Sequence, residues 1–296
     1  MKPAKFIHHT PATLAQAVAV LAEVAPLDGR VLAGGQSLVP AMALRLAQPA
    51  HLVDINGVAG LDRLAVDGDA LSIGACVRHA AFHRPVMEGP LGLLLATVVR
   101  YIAHYPIRTR GTFCGSLANA DPASEWCLIA VTLDATMVAD STRGMRRIAA
   151  RDYFCGVMTT ALAPDELLTE VRLPLLPADT RFGFCEFNRR SGDFALGMAL
   201  ALYRIENGVM TNARIGVGGV EVQPRRIAAA EAALNGHAVS PAIFADAAAA
   251  VAKAVLPIEE QPEAAAYKRD LAATVARRAL DSAASGDTSL DGAKRR

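Results

Sequence analysis

Two short stretches of this chain gather residue types that suit the binding of an anion. Ala33-Gly34-Gly35-Gln36-Ser37-Leu38 joins one apolar run to the next. Glycine has no Cβ, so consecutive backbone N–H groups can turn toward one anion and approach it closely. Ser37 adds a hydroxyl donor, and a helix beginning just beyond adds its own free N–H groups. Turns of this kind between a strand and a helix also exist for packing alone, and these residues by themselves leave both readings open. The second stretch runs Gly111-Thr112-Phe113-Cys114-Gly115-Ser116-Leu117-Ala118-Asn119-Ala120-Asp121-Pro122. It concentrates small polar residues in a chain otherwise rich in Ala, Val and Leu, as a backbone wrapped around a polar ligand requires. It equally fits an exposed loop that leads into a helix opened by Pro122, with Asp121 as N-cap. The two readings are compatible, because a helix start is itself an anion site.

Other chemistry is less well provided for. There is no Gly-x-x-x-x-Gly-Lys-Ser/Thr and no Gly-x-Gly-x-x-Gly at a strand–helix junction. Gly216-Val217-Gly218-Gly219 follows a strand but leads into the strand-like 220–222, which indicates a bulge or turn. The five cysteines (Cys76, Cys114, Cys127, Cys155 and Cys185) are odd in number and widely spaced, with no Cys-x-x-Cys. They suit reduced thiols in a cytosolic protein and neither a zinc nor an iron–sulfur site. The seven histidines, His8, His9, His51, His79, His83, His104 and His237, form no metal-like or triad-like pattern. No residue stands out as a catalytic acid or base, so redox chemistry here would need a bound organic cofactor.

The elements around the two stretches follow from periodicity. Thr10-Pro11 offers a helix start, and Leu14, Val18 and Leu21 recur at helical spacing, which predicts a helix over 13–24. Strands at 31–33 and 51–55 and a helix at 39–46 complete a β-α-β-α-β unit. A second region holds a hairpin at 64–75 around an Asp/Gly turn, one apolar helix over 91–105, the loop 112–121, an antiparallel pair at 135–149 around Arg143-Gly144, and a strand over 167–173. Leu173-Pro174-Leu175-Leu176-Pro177 is the best linker. Beyond it, strands at 182–188, 195–205 and 209–217 precede helices at 227–234, 243–255 and 264–280, with Asn207-Gly208 as the clearest hairpin turn. The tail from Ser282 is small and polar and suits a flexible end.

Bulk properties narrow the class. The chain has 296 residues, 52% hydrophobic, enough to bury more than one core. Thirty Lys and Arg against 29 Asp and Glu give a net charge of +1, without the basic excess of a nucleic-acid binder. No long window is both uncharged and apolar; the richest, 243–256, is broken by Asp246 and Lys253. Neither a membrane span nor a secretory signal is visible, so a cytoplasmic protein is expected.

Taken together, about 80 residues apart, the two stretches resemble those of the FAD-binding medium subunits of molybdenum hydroxylases. That family includes carbon monoxide dehydrogenase, xanthine dehydrogenase and bacterial N-heterocycle dehydrogenases. The resemblance covers nearly the whole chain. Val53-Asp54-Ile55 follows the first stretch as it does in the family, and Gly115-Ser116-Leu117-Ala118-Asn119-Ala120-Asp121-Pro122 is the more specific match. Residues 189–195 look like the segment that opens the family's C-terminal domain. Gly218, Gly219, Arg225, Tyr267-Lys268-Arg269 and Ala276-Arg277-Arg278-Ala279 also fit it.

The resemblance implies an α+β fold, a two-domain flavin-binding unit of the vanillyl-alcohol-oxidase/CO-dehydrogenase flavoprotein type plus a C-terminal α+β domain with a small antiparallel sheet and helices. Residues 1–56 would form an N-terminal βαβ FAD-binding subdomain, 57–174 a second α+β FAD-binding subdomain, 178–281 the C-terminal domain, and 282–296 a flexible tail. It implies noncovalent FAD, with its pyrophosphate held by backbone donors at Ala33, Gly34, Gly35, Gln36 and Ser37, flanked by Leu38, and at Thr112, Cys114, Gly115 and Ser116. Asn119, Asp121 and Glu125 would lie near the ribityl, ribose or phosphate groups, Phe194 near the isoalloxazine and Ile102 near the adenine. One position departs from the pattern, Cys114, where the family has glycine. A positive φ there would strain a cysteine, whereas a need only for a small side chain would not; neighbouring donors would make its thiol reactive by lowering its pKa. The implied role is electron transfer in a heterotrimer. A large molybdopterin subunit would oxidise an aromatic N-heterocycle or purine, and a small iron–sulfur subunit with [2Fe–2S] clusters would pass the electrons here; a dimer of heterotrimers is compatible with this. The alternatives are a stand-alone FAD-dependent oxidoreductase of the same superfamily and a scaffold subunit with vestigial loops.

Overall fold

The computed structural model describes residues 2–286. The chain opens with strand β1 (Ile7–His9), helix α1 (Leu14–Val24), strand β2 (Gly29–Leu32), helix α2 (Leu38–Ala43) and strand β3 (His51–Asp54). β3 lies between β1 and β2 and is parallel to both, so a helix carries the chain across each crossover. α1 is capped by Thr13 rather than Thr10: the Thr13 hydroxyl accepts the Gln16 amide, and Gln16 Oε1 accepts the Ala12 amide. Its buried stripe is Ala17, Val18, Leu21 and Val24. α2 stops at Ala43, short of the expected 46, and Arg45 turns the chain toward β3 at φ 60°.

A five-stranded sheet anchors the second region. β4 (Leu64–Asp67) and β5 (Ala70–Gly74) form a hairpin with Gly68 at φ 64°. Helices α3 (Pro90–Val98), α4 (Tyr105–Arg108), α5 (Phe113–Asn119) and α6 (Glu125–Thr132) lead to a second hairpin, β6 (Thr136–Ser141) and β7 (Gly144–Ala149). After α7 (Ala150–Tyr153), β8 (Phe154–Gly156) and β9 (Thr159–Thr160), strand β10 (Leu167–Pro174) enters between the hairpins, antiparallel to both β5 and β6.

Two expectations fail in this region. No single helix spans 91–105. Pro106 lies in the first turn of a new helix, whose N-cap, His104, is extended at φ −103° and ψ 159°. The chain must therefore leave helical geometry earlier, which it does after Val98, with Ala103 at φ 43°. Arg108 Nη1 satisfies the carbonyls freed by the break, those of Ile102 and Ala103, at 2.7 and 2.8 Å. The stretch 112–121 is not a loop throughout, because it contains α5. The Thr112 hydroxyl caps that helix by accepting the Gly115 amide at 3.0 Å. Asp121 does not cap the next helix; its Oδ1 accepts the Ala123 amide in a local turn, and α6 starts after Ser124.

The last region is an antiparallel sheet of β11 (Arg181–Phe187), β12 (Gly197–Glu206), β13 (Val209–Gly218) and β14 (Arg225–Arg226), in that order. Asn207 and Gly208 both have positive φ, as the tight turn between β12 and β13 requires. Gly216 and Gly218 lie inside β13; the turn falls at Gly219, and 220–222 form no strand. Helices α8 (Ala228–Leu234) and α10 (Pro262–Ser285) pack on this sheet, and α9 (Pro241–Ala254) packs against both of them. α10 continues past Ser282, where a flexible tail is expected, because its apolar spacing continues through Ala279, Leu280 and the buried Ala283. The rest of that expected tail, from 287, lies outside the described residues.

β12 divides the core. Met198, Leu200 and Leu202 join the cluster shared with the first two regions, while Ala199, Ala201 and Tyr203 join the cluster beneath the last helices. This is the period-two alternation of a strand buried on both faces. Among the described residues, no helix is long and apolar enough to cross a membrane.

Candidate functional site

A cavity of about 500 Å³ is lined by residues from all three regions. Ala33, Gly34, Gly35, Gln36, Ser37 and Leu38 reach it from the β2–α2 connection, and Thr112, Cys114, Gly115, Ser116 and Asn119 from α5 and its cap. Asp121 and Glu125 come from the entry to α6, Ile102 from the α3–α4 link, and Phe194, largely exposed, from the segment before β12. Every residue singled out from the sequence therefore borders the same space.

The two stretches touch through glycine. A Cβ on Gly34 would lie 2.5 Å from the Arg110 carbonyl oxygen, and one on Gly111 would lie 2.6 Å from His79 Nε2. Gly35 adopts φ 71°, a left-handed conformation that glycine takes without strain. The amides of Gly34, Gly35, Gln36 and Ser37 have no protein acceptor among the described residues. The second stretch differs, since the Gly115 and Ser116 amides already donate to the Thr112 hydroxyl and carbonyl. Free donors are thus concentrated in the first stretch.

Few charges support an anion here. Arg30 is the one Lys or Arg side chain among the residues lining the cavity, and it also pairs with Asp28 at 3.3 Å. Glu166 is engaged by Arg146 and by the Ala163 amide. Burial pushes the Glu125 carboxyl well above the usual carboxylate range, and the neighbouring charge of Asp121 adds to this. Glu186, on β11, is also pushed up by burial and by the charge of Glu125, and its Oε2 is buried without a partner. A proton held in this pair lowers the negative charge beside the cavity.

Beneath the second stretch lies an aromatic base. Phe113, Phe82 and Trp126 pack with ring centroids 4.8 to 5.7 Å apart. Trp126 Nε1 donates to His79 Nδ1 at 2.9 Å. Burial lowers the His79 pKa to about 3, helped by the charges of Arg108 and Arg78, so its ring is neutral and its proton sits on Nε2. His79 also lines the cavity, as do Arg30 and Gly111. The sequence analysis does not single these three out as site residues. Gly111 carried a signal as the first residue of the second stretch, whereas His79 depends on a tryptophan 47 positions away.

Cys114 resolves simply. It lies within α5, has no positive φ, and its buried thiol donates to the Ile73 carbonyl at 3.4 Å. Burial raises its pKa rather than lowering it, so the thiol is not activated. The position asks only for a small side chain.

Comparison with known proteins supplies the family. Residues 4–176 match the model described as the FAD binding domain in molybdopterin dehydrogenase, and residues 182–283 match the CO dehydrogenase flavoprotein C-terminal domain. The chain belongs to the FAD subunits of the molybdenum hydroxylases. It is 39% identical to the nicotine 6-hydroxylase medium subunit of Paenarthrobacter nicotinovorans, over 86% of this chain and 89% of that one. It is 35% identical to the caffeine dehydrogenase subunit beta of Pseudomonas sp. (strain CBB1), over 98% and 99%. Its fold matches carbon monoxide dehydrogenase from Hydrogenophaga pseudoflava with a TM-score of 0.91 at 32% identity, covering 97% of this chain and 99% of that one.

As in other FAD subunits of molybdenum hydroxylases, the cofactor to be accommodated is FAD, and the cavity suits it. Four unclaimed amides fit an anionic pyrophosphate, and Gly34 and Gly111 let the two stretches that border the cavity approach backbone to backbone. Among the described residues, no group of three or more His, Cys, Asp or Glu is placed to hold a metal ion.

Proposed function

We propose that this chain carries noncovalent FAD between its two glycine stretches and relays electrons within a multi-subunit hydroxylase. The observation that carries the reading is the set of unclaimed amides at Gly34 to Ser37, facing a second stretch held in backbone contact. Ala33 and Leu38 flank these donors, and Thr112, Cys114, Gly115 and Ser116 oppose them. Asn119, Asp121 and Glu125 are assigned to the ribityl, ribose or phosphate groups, Ile102 to the adenine side and Phe194 to the isoalloxazine. Bound FAD supplies the capacity to take up electrons singly and release them singly or in pairs. The protein binds and orients it, and the Glu125–Glu186 pair limits the negative charge nearby.

The partners in this reading are a large molybdopterin subunit and a small iron–sulfur subunit with [2Fe–2S] clusters, in the cytoplasm. An aromatic N-heterocycle or purine is the substrate class, supported by relatives named for nicotine and caffeine. Purification from the native host, with mass spectrometry of the accompanying chains and acid release of flavin, tests it. FAD at about one per chain, together with a large and a small subunit, is the expected result. A complex without flavin would overturn the assignment, and turnover by the isolated chain would favour a stand-alone oxidoreductase. Gly35→Asp should lower flavin content by placing a carboxylate beside the pyrophosphate and straining a left-handed position.

A further inference from the structure

The two stretches are tied together by side chains outside the cavity. Residues 77–79 run beside the second stretch: the Phe113 amide donates to the Val77 carbonyl and the His79 amide to the Gly111 carbonyl, both at 3.0 Å. Arg78 is therefore fixed to that stretch. Asn56 follows β3, where Asp54 Oδ1 accepts its backbone amide at 3.0 Å and its Nδ2 at 2.6 Å. It is thereby fixed to the sheet that carries the first stretch.

Arg78 Nη1 donates to the Arg110 carbonyl, and Nη2 donates to Asn56 Oδ1 at 2.5 Å. Asn56 Nδ2 donates in turn to the Ala33 carbonyl at 2.8 Å. An arginine only donates, which requires the oxygen of Asn56 to face it and leaves the nitrogen for Ala33. The circuit closes where the Arg110 oxygen rests against Gly34. A peptide plane points its carbonyl and its amide in opposite directions. Holding the Ala33 carbonyl on Asn56 thus turns the Gly34 amide away from Asn56.

We infer that Arg78 and Asn56 are positioning residues that set the spacing of the two stretches and the aim of the first amides at the FAD pyrophosphate. The inference rests on the FAD reading above. Neither residue lines the cavity, so neither needs to touch the cofactor. Lysine cannot replace Arg78, because its ammonium does not form a planar fork that reaches two fixed acceptors.

The test uses full-length apoprotein of the wild type, Arg78→Lys, Arg78→Ala, Asn56→Ala and the Arg78→Ala/Asn56→Ala double variant. FAD titration is followed by 31P NMR of the bound cofactor. Each single variant should weaken FAD about 10- to 100-fold, the range for losing hydrogen bonds to a charged group. The double variant should be little worse than the weaker single variant, since both break one circuit. The two pyrophosphate 31P signals should shift while the visible flavin spectrum holds, a pattern that general loosening of the fold does not produce. Wild-type affinity with unmoved 31P signals in Arg78→Lys and Asn56→Ala would overturn the inference while leaving the FAD reading intact. A wild-type protein that takes up no flavin would overturn both.

Discussion

Gly34 and Gly111 meet backbone to backbone: a Cβ on Gly34 would lie 2.6 Å from the Gly111 Cα. Fixed main chain cannot move aside as a flexible side chain does, so any larger residue at 34 must push the two stretches apart. Gly34→Ala should therefore fold but carry less than about a tenth of the wild-type FAD, the loss expected for removing a few charge-assisted hydrogen bonds. Circular dichroism and acid-released flavin per chain would show it. Normal occupancy would mean that the contact is incidental to binding.

The buried pair Glu125 and Glu186 makes stability depend on pH. In the unfolded chain both carboxyls ionise in the ordinary range near about 4.3. In the folded chain burial holds their pKa values higher, so above that range the native state binds more protons than the unfolded state. Stability therefore falls as pH rises through the ordinary range and on through the raised values. Glu186→Gln should leave urea stability unchanged near pH 4 and raise it by on the order of 1–3 kcal/mol near pH 8. A variant that gains nothing at pH 8 would show that the pair is relieved in some other way.

Cys114 should behave as packing. Cys114→Gly removes a buried side chain from a helix and should lower stability by about 1–2 kcal/mol, with FAD retained. In the native wild type, alkylation should reach the exposed Cys155 well before the buried Cys114, as peptide mapping would show. Rapid modification of Cys114 would contradict its burial.

Gly183→Ala tests the seat of the last helix. Its Cβ would fall 2.0 Å from the Ala279 carbonyl oxygen and 2.6 Å from the Ala283 amide, both main chain. The helix must shift off β11, and a loss of about 2–3 kcal/mol in thermal or urea unfolding is expected.

Local chemistry was readable from the sequence, and its spatial partners were not. The glycine stretches and the Asn207-Gly208 turn announce themselves because absence of a Cβ, or tolerance of positive φ, belongs to the residue itself. Pro106 also carried a local signal, as the opening residue of a helix rather than the limit of one. The short helix α5 hides in a polar stretch because Thr112 caps it from within and Val77 receives the Phe113 amide from a distant segment. Arg78, Asn56 and His79 matter through partners 22 to 47 positions away, and no window along the chain brings these together.

The place of β10 at the centre of its sheet bears on how the protein is made. Gly74 on β5 cannot meet its partner until Glu170 has been synthesised. While the ribosome works through the intervening segment, both hairpins wait with an unpaired inner edge, the kind of exposure that invites aggregation. Leu167 and Leu168, at the start of β10, also border the cavity. The late strand therefore completes the sheet and adds one wall of the cavity in the same event, and the segment around Phe194, made later still, adds the last.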